Sequence, residues 1–181
     1  MLVTFSYNRE RALAYARKWA FDRNPLFENY SGIGGDCTNF TSQALYAGSC
    51  VMNFTPTFGW YYLSPQDRAP AWTGVEFFYN FITSNEGVAP FGTETTSEGL
   101  EIGDIIQLAN ADGDYYHSLF VSGISGNEYL VAAHSYDAFD RPLSSYSYTT
   151  ARYIHIEGVR IEIPNILFPD CFENLILGRQ I

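Results

Sequence analysis

Between Asn8 and Phe21 the apolar residues Ala12, Tyr15, Ala16, Trp19 and Ala20 recur at the three- and four-residue spacing of one helix face. The spacing predicts a helix over about residues 8–21, capped by Ser6 or Asn8 and ended by Asp22-Arg23-Asn24-Pro25. After the glycine-rich stretch Ser31-Gly32-Ile33-Gly34-Gly35, a second helical pattern puts Cys37, Phe40 or Thr41, Ala44 and Ala47 on one face, with Gly48 as its stop. Thr73 and Glu76 have the spacing of a capping box ahead of Val75, Phe77, Phe78, Phe81 and Ile82, a third helix closed by Gly87. Between the second and third helices, Trp60-Tyr61-Tyr62-Leu63-Ser64-Pro65 reads as an aromatic loop beside the groove that the cysteine faces.

Beyond residue 101 the pattern changes to strands at Asp104 to Leu108, His117 to Ser122, Tyr129 to His134, Tyr153 to Glu157 and Val159 to Ile163. Asn110-Ala111-Asp112-Gly113 and Ser125-Gly126-Asn127 supply turn chemistry between them. Helices first and an antiparallel meander second predict an α+β fold. Residues 1–163 read as one domain and 164–181 as an irregular C-terminal extension.

Composition narrows the picture in three ways. A chain of 181 residues, 46% hydrophobic and only 17% charged, can bury one core without metal or disulfide staples. A net charge of −10 argues against a nucleic-acid surface, which needs Lys and Arg to neutralise phosphates. No run of about 18 apolar residues is present, so membrane insertion is not expected, and the first residues lack the basic-then-apolar pattern of a secretion signal. The chain either stays inside the cell or has lost its leader. The three cysteines lack the CxxC spacing of a zinc finger. If one pair forms, Cys50 with Cys171 is the natural choice, and Cys37 stays free.

Cys37 is the residue on which chemistry can be built. It opens a helix, where unpaired backbone N–H groups favour thiolate over thiol and lower the cysteine pKa. A buried cysteine is often plain packing, but the Gly34-Gly35-Asp36 lead-in favours a nucleophile. A nucleophile needs a base, and the base an orienting partner. A two-residue turn at Ser125-Gly126 puts His117 opposite His134, and one at Gly126-Asn127 leaves them diagonal on the same face. A three-residue loop would put them on opposite faces. The expected roles are Cys37 as nucleophile, its own N–H as oxyanion donor, His117 as base and His134 as orienter, with Asp137 second choice for the last. Tyr30, Asp36, Trp60, Tyr61 and Trp72 are candidates for substrate contact, although Asp36 also fits a helix cap and Tyr30 plain packing. His155, alternating with apolar neighbours, reads as structural. A zinc site of Cys37, His117 and His134 is the alternative, although no close ligand pair supports it; no metal or cofactor is expected.

The ordered phrases Tyr7-Asn8-Arg9, Ala14-Tyr15-Ala16, Trp19-Ala20, Arg23-Asn24-Pro25, Gly35-Asp36-Cys37-Thr38-Asn39-Phe40, Ser42-Gln43, Gly103-Asp104-Ile105-Ile106-Gln107, His117 and His134-Ser135-Tyr136-Asp137 resemble the bacterial putative amidase domain. That family is related to the NlpC/P60 and CHAP cysteine peptidases and amidases. The resemblance spans roughly residues 7–157. It implies a papain-like fold and a cysteine amidase or peptidase acting on cell-wall peptidoglycan peptides, outside the cell or at its wall, with a cytoplasmic site as alternative. No obligate protein partner is evident in the sequence. Acyl transfer and a non-enzymatic wall-binding module are the competing functions.

Overall fold

The computed structural model describes residues 1–163 and 170–180. The chain runs β1 (Leu2–Phe5), α1 (Arg9–Trp19), α2 (Cys37–Ser49), β2 (Tyr62–Ser64), β3 (Asp67–Arg68), α3 (Pro70–Thr73), α4 (Val75–Ser84), β4 (Ala89–Thr95), β5 (Ile105–Ala109), β6 (Tyr115–Ser125), β7 (Glu128–Ala133), β8 (Ala138–Pro142), β9 (Thr150–Glu162) and α5 (Phe172–Leu177). It is an α+β fold: N-terminal helices pack on an antiparallel seven-stranded sheet. The sheet runs β1-β9-β5-β6-β7-β8, and β4 pairs the other edge of β9.

α1 forms as its apolar spacing dictates. Asn8 caps it by accepting the Arg11 N–H at 3.0 Å, and Ala12, Tyr15, Ala16 and Trp19 are buried. α2 is the central helix, buried nearly all round, so its polar side chains must find partners inside. Gln43 accepts from the Tyr15 hydroxyl, Ser42 from the Trp60 indole, and Asn39 from the Trp72 indole. The helix runs through Gly48 to Ser49, and the left-handed residue at its end is Cys50, two positions beyond the expected glycine. The Thr73 capping box does not form. Thr73 instead closes the short α3 and accepts a bond from Arg68, Gly74 stands at the α4 N-cap, and Glu76 pairs with Arg152.

Two hydrophobic clusters sandwich the sheet. Ile105, Phe120, Ala132 and Ile154 face the helices, while Ile106, Leu119, Val121 and Val131 form a smaller core on the other face with Leu143. The two C-terminal strands read from the sequence are one continuous strand, β9, and β1, β4 and β8 add to the sheet. Of the presumed irregular extension, residues 164–169 and 181 lie outside the described residues. Residues 172–177 form α5, which docks through Leu175 and a Cys50–Cys171 disulfide with Cα atoms 5.4 Å apart.

Candidate functional site

α2 presents Cys37 at its first position, reached through a loop in which Gly34 and Gly35 adopt positive φ of 95° and 107°. Opposite it, β7 stops pairing with β6 at Phe120↔Ala132, and Ser135 and Tyr136 turn the chain away at φ of 61° and 79°. The edge of β6 at residues 116–118 is thereby freed, and the Cys37 thiol lies 4.0 Å from the Tyr116 carbonyl. Cys37 and His117 line one open cleft of about 400 Å³, rimmed by Gly35, Tyr136, Arg141 and Tyr146.

The facing pair of histidines does not form. The turn is Gly126-Asn127, with Ser125 paired to Glu128, but an extra residue at Ser122 shifts the register between Val121 and Gly123. The bulge is held by a 2.7 Å bond from Ser122 to Asp140. One residue of slip exchanges faces. His117 therefore does not face His134: it follows Leu119 and Val121 in the alternation of β6 and lines the cleft with Cys37, while His134 turns toward the helix layer and stacks on Phe40 with ring centroids 4.1 Å apart.

Both nitrogens of His134 are committed there. Nε2 donates to the Trp19 carbonyl at 2.8 Å, and Nδ1 lies 2.6 Å from Asp36 Oδ2. Burial alone would raise the Asp36 pKa, but bonds from His134, the Asn39 amide and the Tyr30 N–H outweigh it and hold the carboxyl below its ordinary range. The ring is thereby locked between Asp36 and the Trp19 carbonyl, with neither nitrogen free to serve the cleft. Asp36 stands at the N-cap position, yet it ties the helix start to the 30–36 loop and to His134 rather than capping α2 with its side chain. Asp137 pairs with Arg23 at 2.9 Å. The alternative zinc set of Cys37, His117 and His134 fails on the same geometry.

The electrostatics of the thiol also differ from the helix-start expectation. Burial raises the Cys37 pKa, and donors at Ser118, Thr38 and its own backbone offset this only in part. Burial, with a contribution from the Arg141 cation, pushes His117 down to about 4. The resting pair is therefore a thiol and a neutral imidazole. Among the described residues, His117 makes no side-chain hydrogen bond.

Behind the thiol runs a directed chain of hydrogen bonds that sequence reading missed. Arg152, 3.6 and 3.8 Å from the Tyr79 and Tyr115 rings and paired with Glu76, donates through Nε to Gln107 Oε1 at 2.8 Å. This fixes the Gln107 amide, whose Nε2 donates to Ser118 Oγ at 3.0 Å. Ser118 then has its proton for Thr38 Oγ1, 2.9 Å away, and Thr38 has its own for the Cys37 sulfur at 3.8 Å. Gln107 and Ser118 lie on neighbouring strands, and only their pairing could have exposed the chain.

Of the residues expected to touch substrate, Trp60 and Trp72 are fully buried and serve as core anchors of α2. Large flat side chains with one N–H are well suited to that role. Tyr61 packs against Phe54 with its ring tilted and Tyr30 is buried beneath Arg68; neither lines the cleft. His155 bonds Asp104 at 2.8 Å, in keeping with a structural role. Of the other residues lining the cleft, Tyr136 falls within the phrase His134-Ser135-Tyr136-Asp137, whereas Tyr116, Arg141 and Tyr146 carry no motif.

Fold and cleft together define an α+β domain with a thiol at a helix start and an imidazole on the adjoining strand. The chain belongs to the family described as Putative amidase domain, whose model matches residues 6–157. It is 31% identical over 138 residues to the uncharacterized protein YhbB of Bacillus subtilis, covering 74% of this chain and 43% of that protein. It is 27% identical over 144 residues to the uncharacterized protein YjcM of the same organism, covering 75% of this chain and 32% of that one. The chain thus spans less than half the length of these relatives. No solved structure matches it.

Proposed function

We propose that this domain is a papain-like cysteine amidase that hydrolyses a peptide-type amide, with bacterial peptidoglycan as the substrate class. The observation that carries the reading is the convergence of Cys37 and His117 on one open cleft. Family membership supports amide hydrolysis. The resemblance to the NlpC/P60 and CHAP enzymes supports the wall peptide. The Cys50–Cys171 disulfide supports an oxidising location, outside the cell or at its wall.

The reaction starts from a neutral pair. His117 takes the thiol proton as sulfur attacks the amide carbonyl, forming the S–C bond and moving the carbonyl π electrons onto oxygen. The Cys37 N–H, in the unpaired first turn of α2, donates to that oxyanion. Collapse breaks the C–N bond, and the amine leaves with the proton from His117. Water, deprotonated by the same imidazole, attacks the thioester, releasing the acid and restoring the thiol. Thr38 donates to the developing thiolate, and His134 with Asp36 holds the helix start in position. This assigns a dyad and gives His134 a positioning role in place of the orienter of His117.

Acyl-enzyme trapping tests the reading. The protein is incubated with muropeptides, quenched in acid and weighed intact. A mass gain localised to Cys37 and absent from Cys37→Ala is expected. A gain elsewhere, or none while amide is being consumed, contradicts a thioester route.

A further inference from the structure

We infer that Arg141 and Tyr146 form a carboxylate-binding subsite in the Cys37 cleft, so that the amide cleaved carries a free carboxylate close to the scissile bond. The inference rests on the reading of the cleft as an amide-cleaving site and adds what that site selects.

The chain has 20 acidic against 10 basic residues, so carboxylates are plentiful as partners for its arginines. Arg9, Arg11, Arg23 and Arg152 each pair with one, whereas Arg17, Arg68, Arg160 and Arg179 have none within 4.0 Å among the described residues. Among the described residues, Arg141 has no carboxylate within 4.0 Å. It is nonetheless held rigidly. Nε donates to Ser145 Oγ at 2.8 Å, Nη2 donates to the Ser145 carbonyl at 3.2 Å, and the guanidinium lies 4.0 Å from the centre of the Tyr146 ring. Nη1 has no protein acceptor among the described residues. The Tyr146 hydroxyl is buried close enough to the Arg141 guanidinium for that cation to oppose the rise burial gives its pKa, yet it has no well-formed hydrogen bond, and its ring lies 6.0 Å from that of His117.

A preorganised guanidinium with spare donors, an unsatisfied hydroxyl and the proposed base thus meet in one cavity of about 400 Å³. A buried polar group left without a partner costs roughly 1–3 kcal/mol. A carboxylate accepts from both guanidinium and hydroxyl, and planar arginine suits it better than lysine would. The same anion would also aid the chemistry. Arg141 is one of the charges that oppose protonation of His117. A carboxylate seated on it removes that opposition when His117 must hold the thiol proton. The bland role, a staple for the turn at Leu143–Ser145, explains the two Ser145 bonds but leaves Nη1 and the Tyr146 hydroxyl without a purpose.

Two alkylating reagents that differ only in charge provide the test. Iodoacetate carries a carboxylate where iodoacetamide carries a neutral amide. Relative to glutathione measured alongside, Cys37 should prefer iodoacetate by about tenfold or more, the effect of one charge-assisted hydrogen bond. The rate should saturate and be suppressed by acetate. Arg141→Gln should bring the reagent ratio down to that of glutathione, and Arg141→Lys should restore part of it. A wild-type ratio equal to that of glutathione overturns the subsite, as does a preference that survives Arg141→Gln. If the variant does not fold, the wild-type ratio and acetate protection decide. Failure of both reagents to modify Cys37 overturns the subsite and the amidase reading together. Iodoacetate preference without cleavage of any amide removes the amidase and keeps the subsite; amide cleavage without preference does the reverse.

Discussion

At the scale of single residues, the two histidines near Cys37 differ in their hydrogen bonding and therefore in what their removal should do. His117 is neutral because burial, with Arg141 second, depresses its pKa from 6.5 to about 4. Unfolded chains bind that proton below pH 6.5 while the native state refuses it until about pH 4, so native stability is full above the upper value and falls across this window. The loss should be roughly 3 kcal/mol. Urea melts at a series of pH values should show it, and His117→Gln should flatten that part of the curve. Amidase activity should likewise persist down toward the lower value, since the base is lost only when His117 is protonated. His134 instead holds the buried Asp36 carboxylate through a 2.6 Å hydrogen bond. Removing one partner strands a charge, so His134→Ala should cost about 3–5 kcal/mol and lower the melting temperature sharply. Both histidines stand out in the sequence. Their division of labour does not, because it depends on one bulged residue, Ser122, that leaves no mark in the alternation of apolar positions.

At the scale of elements, α1 and α2 were legible because their apolar spacing is strong and their breaks are marked by Asn8, Gly34 and Gly35. β4 was not, since Pro90 and Gly92 are poor strand formers and the segment becomes a strand only by pairing along β9. Burial of Trp60 and Trp72 was equally hidden. An aromatic cluster looks the same in sequence whether it lines a cleft or anchors a helix, and here Ser42 and Asn39 of α2 decide by accepting from the indoles. The relay from Arg152 through Gln107 and Ser118 to Thr38 links β9, β5, β6 and α2 behind the thiol. Ser118→Ala interrupts it without touching the cleft. Loss of one such bond is worth about 0.5–1.5 kcal/mol, so iodoacetamide should alkylate Cys37 roughly two- to tenfold more slowly at neutral pH. An unchanged rate would mean that Thr38 does not donate to the thiolate.

At the scale of the whole molecule, the sheet supplies one wall of the cleft and the helix layer the other, so the site depends on the two layers staying in register. The disulfide ties the end of α2 to α5 across a sequence separation of 121 residues. Closing so long a loop restricts the unfolded chain, and Cys50→Ala should lower stability by about 2–5 kcal/mol, read as a shift in the urea midpoint. The helices-then-sheet layout was legible from periodicity, whereas the docking of α5 was not, because Phe172–Leu177 is too short for a helical period to stand out. The central claim is that Cys37 and His117 act together on an amide bond. Its most direct measurement is end-group analysis of purified peptidoglycan after incubation with wild-type protein, Cys37→Ala and His117→Ala. New amine and carboxyl ends should appear in equal number with the wild type and be absent with both variants; no new ends with the folded wild type, or the same ends with Cys37→Ala, would contradict it.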